Sequence, residues 1–458
     1  MAKKIHFIAI GGSVMHQLAI DLHLKNWHVV GSDDLIFEPS HSNLQSYNLL
    51  PKKMGWFPEK ITPDINIVLL GMHAHSDNPE LLRALELKLK VLSFPEFIFQ
   101  YTREKTRILV GGSHGKTTLT CLLFHVFQQL KISTDFLAGA IPAGYERSVI
   151  LSENAPNIII EGDEYLTSCL QPVPKLFFYK PQYALLTGIA WDHINVFPTF
   201  ENYKQQFALF LDTLPSKAVV AWNAEDESLA EIVQECTADV QFVAYQTPEY
   251  VIENSQYFIV HQQQKNPVSL LGKHNMQNIA GAMALAKSMG ISETSFLQAA
   301  ANFTGAARRM ELLYQSETQH IFRDFAHAPS KVKATLRALR ELYPHKKLIA
   351  CLELHTFSSL QTNFLPEYRH SLDGAEAKCV FVDAHTLIQK NKQAIPSALI
   401  HENFGASTTY VSSKEALEHF IVQHFTENSV LLLMSSGSFA GLNISEIPKF
   451  AAKNKKYK

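Results

Sequence analysis

Short apolar runs recur along the chain, each closed by glycine or a polar cluster and followed by a longer amphipathic stretch. Residues 5–10, Ile-His-Phe-Ile-Ala-Ile, run into Gly11-Gly12 and then into an apolar stretch at 14–20, which predicts strand, tight turn and helix. A second strand is predicted at 27–30 and ends on Gly31-Ser32-Asp33, as a Rossmann-like nucleotide fold begins, with an acid placed where a ribose could be bound. A third, 65–70, is followed by the loop Gly71-Met72-His73-Ala74-His75-Ser76-Asp77-Asn78, and loops at the carboxyl ends of such strands are where ligands sit. Charge density rises at 102–105, and a new strand at 106–110 opens a second unit. Further strands are predicted at 158–160, 183–186 and 218–221. Past Arg308-Arg309 the pattern begins again at 321–322, 348–352, 380–382 and 430–434. The fold class expected is therefore α/β, with three consecutive α/β domains at 1–104, 105–308 and 309–458.

Composition agrees with several domains. The chain has 458 residues, 46% of them hydrophobic, enough for three cores at roughly 150 residues each. Its 41 basic and 43 acidic residues give a net charge of -2 and are spread along the chain, which argues against a nucleic-acid or membrane surface. The basic residues at 453–458 read as a solvated end. The apolar run before Gly11 is too short for a signal-peptide core, and no run approaches the roughly 20 residues of a membrane span, so a cytoplasmic protein without membrane insertion is expected. The five cysteines are far apart in sequence and fit neither a zinc pattern nor a disulfide framework.

The most informative stretch is Gly112-Ser113-His114-Gly115-Lys116-Thr117-Thr118, set between a predicted strand and an apolar helix. Glycines let backbone N–H groups wrap a polyphosphate, Lys116 reaches the terminal phosphates, and Thr117 can ligate magnesium. Val110 stands where the strict pattern has its first glycine. Glu161-Gly162-Asp163-Glu164-Tyr165 and Trp191-Asp192-His193 each follow a predicted strand and supply acids and an imidazole suited to magnesium between ATP and an anionic substrate. Asn275 and Asn278 lie three residues apart at a helix start, which suits an adenine edge or a plain helix cap. Arg308-Arg309 could reach phosphates or serve only as a solvated pair.

Taken in order, Gly-Ser-His-Gly-Lys-Thr-Thr, Glu-Gly-Asp-Glu, Asp-His, His274-Asn275-Met276-Gln277-Asn278, Arg308-Arg309-Met310-Glu311 and Asp324-Phe325-Ala326-His327-Ala328-Pro329 resemble the Mur ligases of peptidoglycan synthesis. The resemblance implies a Rossmann-like N-terminal domain for a UDP-sugar, a central P-loop ATPase domain and a Rossmann-like C-terminal domain for the amine substrate. It implies ATP and Mg2+ as cofactors, UDP-N-acetylmuramate and an amino acid or peptide as partners, no nucleic acid, and a monomer or weak homodimer. Carried over by residue, Gly11, Gly12, Ser13, Asp33, His73, Ala74 and His75 would meet the UDP-sugar. Residues 112–118, Asn275, Asn278, Arg309 and Asp324 would meet ATP. Thr117, Glu161 and His193 would hold the metal, and Lys116, His193 and His327 would be catalytic.

Two branches share the N-terminal features, one joining L-alanine and one joining the peptide L-Ala-γ-D-Glu-meso-diaminopimelate to UDP-N-acetylmuramate. Arg309-Met310-Glu311, the Asp-Phe-Ala-His run and Met434-Ser435-Ser436-Gly437-Ser438-Phe439-Ala440-Gly441 favour the peptide, whereas His355-Thr356-Phe357-Ser358 resembles the L-alanine branch. Ala9 and Val14 replace glycines of the L-alanine ligase turn, Gly188 and Ala190 replace the family's Asn and Glu, and Ala328 replaces a histidine. Phe207 falls where other branches carry a carbamylated lysine, so that modification is not expected. An NAD-linked oxidoreductase would leave Gly-Lys-Thr-Thr unexplained, and a nucleotide-binding protein without ligase activity is the other rival.

Overall fold

The computed structural model describes residues 3–142, 144–191, 196–306 and 309–447. They fall into two compact units: one holds the chain up to Gln246 together with Asn278–Ala300, the other Thr247–Gln277 together with the described chain from Ala301 onward.

In the first unit, four parallel strands stand in the order His28–Ser32, Lys4–Ile8, Ile67–Leu70, Val91–Ser93. The first strand stops at Ile8 rather than continuing to Ile10 as the apolar run suggested. Ala9 takes φ 68°, a left-handed turn, and its N–H and that of Ile10 both donate to the Ser32 carbonyl, at 3.0 and 3.1 Å. A second sheet has seven strands, Val240–Tyr245, Ala218–Asn223, Tyr183–Leu186, Thr106–Gly111, Asn157–Glu161, Thr134–Leu137 and Val149–Ile150, parallel except at the last pair. Strands covered on both faces can be apolar throughout, as Ile108-Leu109-Val110 and Ile158-Ile159-Ile160 are. One apolar cluster runs from Phe7 and Leu18 of the first sheet's layers to Ile158 and Phe210 of the second's. The buried Asp21 carboxylate ties the layers further, accepting from Arg147 at 2.8 Å. Residue 104 lies within this unit, in the turn between the helix Phe94–Tyr101 and the strand Thr106–Gly111.

The second unit carries an antiparallel three-stranded meander, Tyr250–Glu253, Gln256–His261 and Gln264–Val268, and a six-stranded sheet. That sheet runs Glu311–Gln315, Gln319–Asp324, Ser429–Met434, Lys347–Glu353, Ala377–Phe381, Thr409–Val411, antiparallel only at its first pair. Alternate residues serve opposite faces: Phe322, Leu352, Val380 and Leu432 join one core with Val332 and Leu336 of the helix Pro329–Leu342. Ile321, Cys351, Phe381 and Leu431 join the other with Leu417 and Ile421 of Lys414–His424. The fold class is the α/β one expected, built on mostly parallel sheets. None of the five cysteines is in a disulfide, and three of them, Cys121, Cys351 and Cys379, are buried. Among the described residues no helix is long and apolar enough to cross a membrane.

Candidate active site

The strand Thr106–Gly111 delivers the chain into a tight loop at Gly112, φ 113°, and Gly115, φ 76°, before the helix Lys116–Gln129. Neither position has room for a side chain. A Cβ on Gly112 would stand 2.3 Å from Thr187 Oγ1, and one on Gly115 would stand 2.6 Å from Asn278 Nδ2. The loop is pinned from the neighbouring strand end, because Ser113 N–H donates to the Gly188 carbonyl at 2.9 Å and Ala190 N–H donates to Ser113 Oγ at 2.8 Å. Backbone N–H groups at the start of a helix make an anion site, and this loop has that geometry.

The Glu161-Gly162-Asp163-Glu164 segment leaves the adjacent strand and brings its acids onto the loop. Thr117 Oγ1 donates to Glu161 Oε1 at 2.6 Å, and Gly139 N–H donates to Glu161 Oε2 at 2.7 Å. Lys116 Nζ donates to the Gly112 carbonyl at 2.7 Å and to both Glu164 oxygens, at 2.8 and 2.6 Å. Burial alone pulls the ammonium pKa down, but Glu164, Asp163 and Glu161 outweigh it and hold the group above the usual lysine value. Lys116 therefore stays charged at neutral pH, which a phosphate ligand would require. A hydroxyl and a carboxylate sharing a hydrogen bond are hard oxygen donors of the kind Mg2+ takes, few in number because phosphates and water complete its shell. That donor set fits magnesium. Asp192 and His193 lie outside the described residues. Asn278 rests against Gly115, whereas Asn275 donates through Nδ2 to the Leu271 carbonyl at 2.8 Å.

At the N-terminal sheet the turn after Ile8 carries Gly11, Gly12 and Ser13. Gly11 N–H donates to Asp33 Oδ2 at 2.7 Å, and a Cβ on Gly11 would lie 2.8 Å from Ile36 Cγ1. The sequence-derived grouping of Gly11 with Asp33 thus corresponds to a direct contact. Burial pushes the Asp33 carboxyl up to about 6, opposed by the Gly11 N–H and reinforced by Asp34. His73 and His75 are exposed and Ala74 is buried, in the loop after the strand Ile67–Leu70.

In the second unit, Asp324 ends the strand Gln319–Asp324 with both oxygens engaged. Oδ2 accepts from Met310 N–H at 2.6 Å, and Oδ1 accepts from Ala326 N–H at 2.7 Å and Thr335 Oγ1 at 3.2 Å. Arg309 lays its guanidinium over the Phe325 ring, 4.7 Å from the centroid. His327 Nδ1 lies 2.8 Å from the Phe325 carbonyl. A carbonyl can only accept, so Nδ1 carries the proton and Nε2 is the basic nitrogen.

Sequence reasoning missed several partners. Tyr203, fully buried on the helix Phe200–Asp212, sets its hydroxyl 2.9 Å from Ser113 Oγ and donates to Glu164 Oε1 at 3.3 Å. Asp226 accepts from Ile189 N–H at 2.8 Å. Glu353, buried at a strand end, accepts from Ser435 Oγ and, at 2.9 Å, from Phe439 N–H. A Cβ on Gly437 would lie 2.9 Å from Glu353 Oε2 and 2.8 Å from His355 Nδ1. The Ser435-to-Gly441 run thus folds around Glu353, an arrangement that only the small residues and glycines in it hinted at.

Two domain models match the chain: the Mur ligase middle domain over residues 110–286 and the Mur ligase, glutamate ligase domain over residues 308–437. A UDP-N-acetylmuramate–L-alanyl-gamma-D-glutamyl-meso-2,6-diaminoheptandioate ligase of Haemophilus influenzae is 27% identical, the alignment covering 98% of this chain and all of that one. A UDP-N-acetylmuramate–L-alanine ligase of Clostridium kluyveri is likewise 27% identical, over 95% of this chain and 96% of that one. The crystal structure of a murein peptide ligase from Psychrobacter arcticus matches at TM-score 0.67 and 21% identity, covering 98% of this chain and 99% of that one. That of a UDP-N-acetylmuramate–alanine ligase from Thermotoga maritima matches at 0.70 and 21%, covering 99% and all of the two chains, and at such identities both establish the fold alone. With the phosphate loop, its acidic partners and both domain models in agreement, the chain belongs to the Mur ligase family.

Proposed function

We infer that the chain is an ATP-dependent ligase that forms a C–N bond between UDP-N-acetylmuramate and the peptide L-Ala-γ-D-Glu-meso-diaminopimelate. One observation carries the ligase reading: Lys116 and Thr117 open one helix against the acids at the adjacent strand end, Thr117 Oγ1 donating to Glu161 Oε1 at 2.6 Å and Lys116 Nζ to both oxygens of Glu164. The peptide branch is supported by the activity for which the Haemophilus influenzae relative is named and by the Ser435-to-Gly441 run folded on Glu353. His355, which resembles the L-alanine branch, packs against the same run, and the Clostridium kluyveri relative supports that second reading.

A carboxylate resists an amine because its carbon is shielded by negative charge and oxide is a very poor leaving group. Lys116 and the phosphate-loop N–H groups would stabilise the γ-phosphoryl group as it passes to the acceptor's carboxylate oxygen, leaving ADP and an acyl phosphate. Thr117 and Glu161, with His193 as the expected third ligand, would hold Mg2+, which neutralises phosphate charge. The amine nitrogen then forms its bond to the acyl carbon, the C–O bond to phosphate breaks, and the amine's proton leaves. His327, with Nδ1 on the Phe325 carbonyl, is the imidazole proposed to receive it. Gly11, Gly12, Ser13, Asp33, His73, Ala74 and His75 are proposed to meet the UDP-sugar; Asn275, Asn278, Arg309 and Asp324 are proposed to meet ATP.

The test is a product assay with UDP-N-acetylmuramate, Mg-ATP and either the tripeptide or L-alanine. Phosphate release that requires both acceptor and tripeptide is expected. Efficient turnover of L-alanine alone would overturn the branch assigned, and release that ignores the acceptor would overturn the ligase.

A further inference from the structure

Lys175 follows the hairpin of Leu166–Ser168 and Gln171–Pro174 and carries a charge that the proposed steps leave unused. Its ammonium donates to Asp163 Oδ2 at 2.6 Å and to Met72 Sδ at 3.2 Å, and sits 5.9 Å from the centroid of the Tyr165 ring. Its side chain is only 15% exposed, while that of Asp163 is 38% exposed. Met72 belongs to the loop after Ile67–Leu70, beside His73, whose pKa is pushed down by partial desolvation of its solvent-facing ring and then by the Lys175 charge. Asp163 belongs to the segment whose Glu161 bonds Thr117 and whose Glu164 clasps Lys116. Lys175 is thus the point where the first sheet's ligand loop and the phosphate loop's acidic segment meet on one cation.

We propose that Lys175 seats the carboxylate of the acceptor substrate beside the phosphate loop, exchanging its weak thioether contact for a charged hydrogen bond. The assignment rests on the ligase reading above. A thioether sulfur is a weak acceptor and an ammonium has three N–H donors, so an anion replacing Met72 Sδ gains a charge-assisted bond. The need for it is electrostatic. A carboxylate approaching the phosphate loop meets Glu161, Asp163 and Glu164 as well as the triphosphate, and Lys116 is committed to the phosphates. A second cation, already turned toward the first sheet's loop, offsets that repulsion and fixes the carboxylate for attack on the γ-phosphorus. Asp163 holds the ammonium in place and stays partly hydrated, so it need not leave.

The experiment is equilibrium calorimetry on the full chain with UDP-N-acetylmuramate and with UDP-N-acetylglucosamine, which keeps the diphosphate and lacks the lactyl carboxylate. Steady-state KM for ATP is measured alongside. Lys175→Gln should weaken UDP-N-acetylmuramate binding about tenfold or more, to the level of UDP-N-acetylglucosamine, while the latter and the ATP KM change less than about twofold. Lys175→Arg should recover most of the loss. Asp163→Asn/Lys175→Gln, which restores local neutrality, should reproduce the selective defect and so separate it from misfolding. Equal loss for both sugar nucleotides would assign Lys175 to the diphosphate and overturn the proposal, as would no loss at all. Wild-type protein that binds neither sugar nucleotide would instead overturn the acceptor reading on which it rests.

Discussion

The Lys116 ammonium is clasped by both oxygens of the Glu164 carboxylate, with the lysine side chain 14% and the glutamate 0% exposed. Removing one partner of such a pair leaves an uncompensated buried charge. Glu164→Gln is expected to lower the unfolding free energy by about 3 kcal/mol, the low end for a broken buried pair because Lys116 keeps some solvent. The folded-state pKa of Lys116 lies above its ordinary 10.5, so the pair's stabilisation is complete below that value and is lost as pH rises through the folded value. Urea titrations should therefore find a constant difference between wild type and variant from neutral pH to about 10.5, shrinking above it. A difference that already vanishes near neutral pH would contradict the pairing.

Asp33 gives the same sense of pH dependence in an acidic window. Its folded pKa, about 6, lies above the ordinary 3.8, so between those values the folded chain keeps a proton that the unfolded chain releases. Unfolding free energy should fall as pH rises through that window, by at most about 3 kcal/mol, and remain lower above it. Asp33→Asn should flatten this part of the stability profile. A variant whose stability still drops between pH 3.8 and about 6 as the wild type's does would place the titrating group elsewhere.

What the sequence made legible follows from how local the governing forces are. Strand, loop and helix at 106–129 were readable because an apolar run, two glycines and a second apolar run each act over a few residues. Gly11 and Asp33 could be paired because the second strand of such a sheet returns beside the first. Glu164, Tyr203 and Ser113 could not, since their meeting depends on where the helix Phe200–Asp212 packs. The end of the first strand was misplaced for a similar reason. Ile8, Ala9 and Ile10 are all buried apolar residues, and hydrophobicity does not report that Ala9 has turned left-handed.

That turn makes a testable demand on Gly71. A Cβ there would lie 2.9 Å from the Ala9 Cβ and 2.9 Å from the Ile8 carbonyl. Gly71→Ala should cost about 1–3 kcal/mol, as overpacking does. Ala9→Gly added to it should recover part of the loss by deleting one of the two opposing atoms, while the Ile8 carbonyl remains. Denaturant unfolding of the two single variants and the double variant gives the coupling. Strictly additive effects would mean that the turn relaxes and that the close approach carries no energy.

The sequence resemblance sets an asparagine against Gly188, and the geometry there favours glycine in this chain. Its φ is 143°, a Cβ would lie 2.9 Å from Asp226 Oδ2, and its carbonyl accepts from Ser113 N–H at 2.9 Å. Asp226 cannot easily yield, since it also caps the helix Glu227–Glu235 through Leu229 N–H at 2.9 Å and binds Ile189 N–H. Gly188→Asn and Gly188→Ala share the added Cβ and should each cost about 2–3 kcal/mol, because the strain is in the backbone and not in the amide. Both should also raise the KM for ATP, since the Gly188 carbonyl anchors the phosphate loop. An asparagine that folds as well as wild type while alanine does not would mean that its amide finds a compensating bond. In that case the glycine is a departure from the family pattern rather than a requirement of this loop.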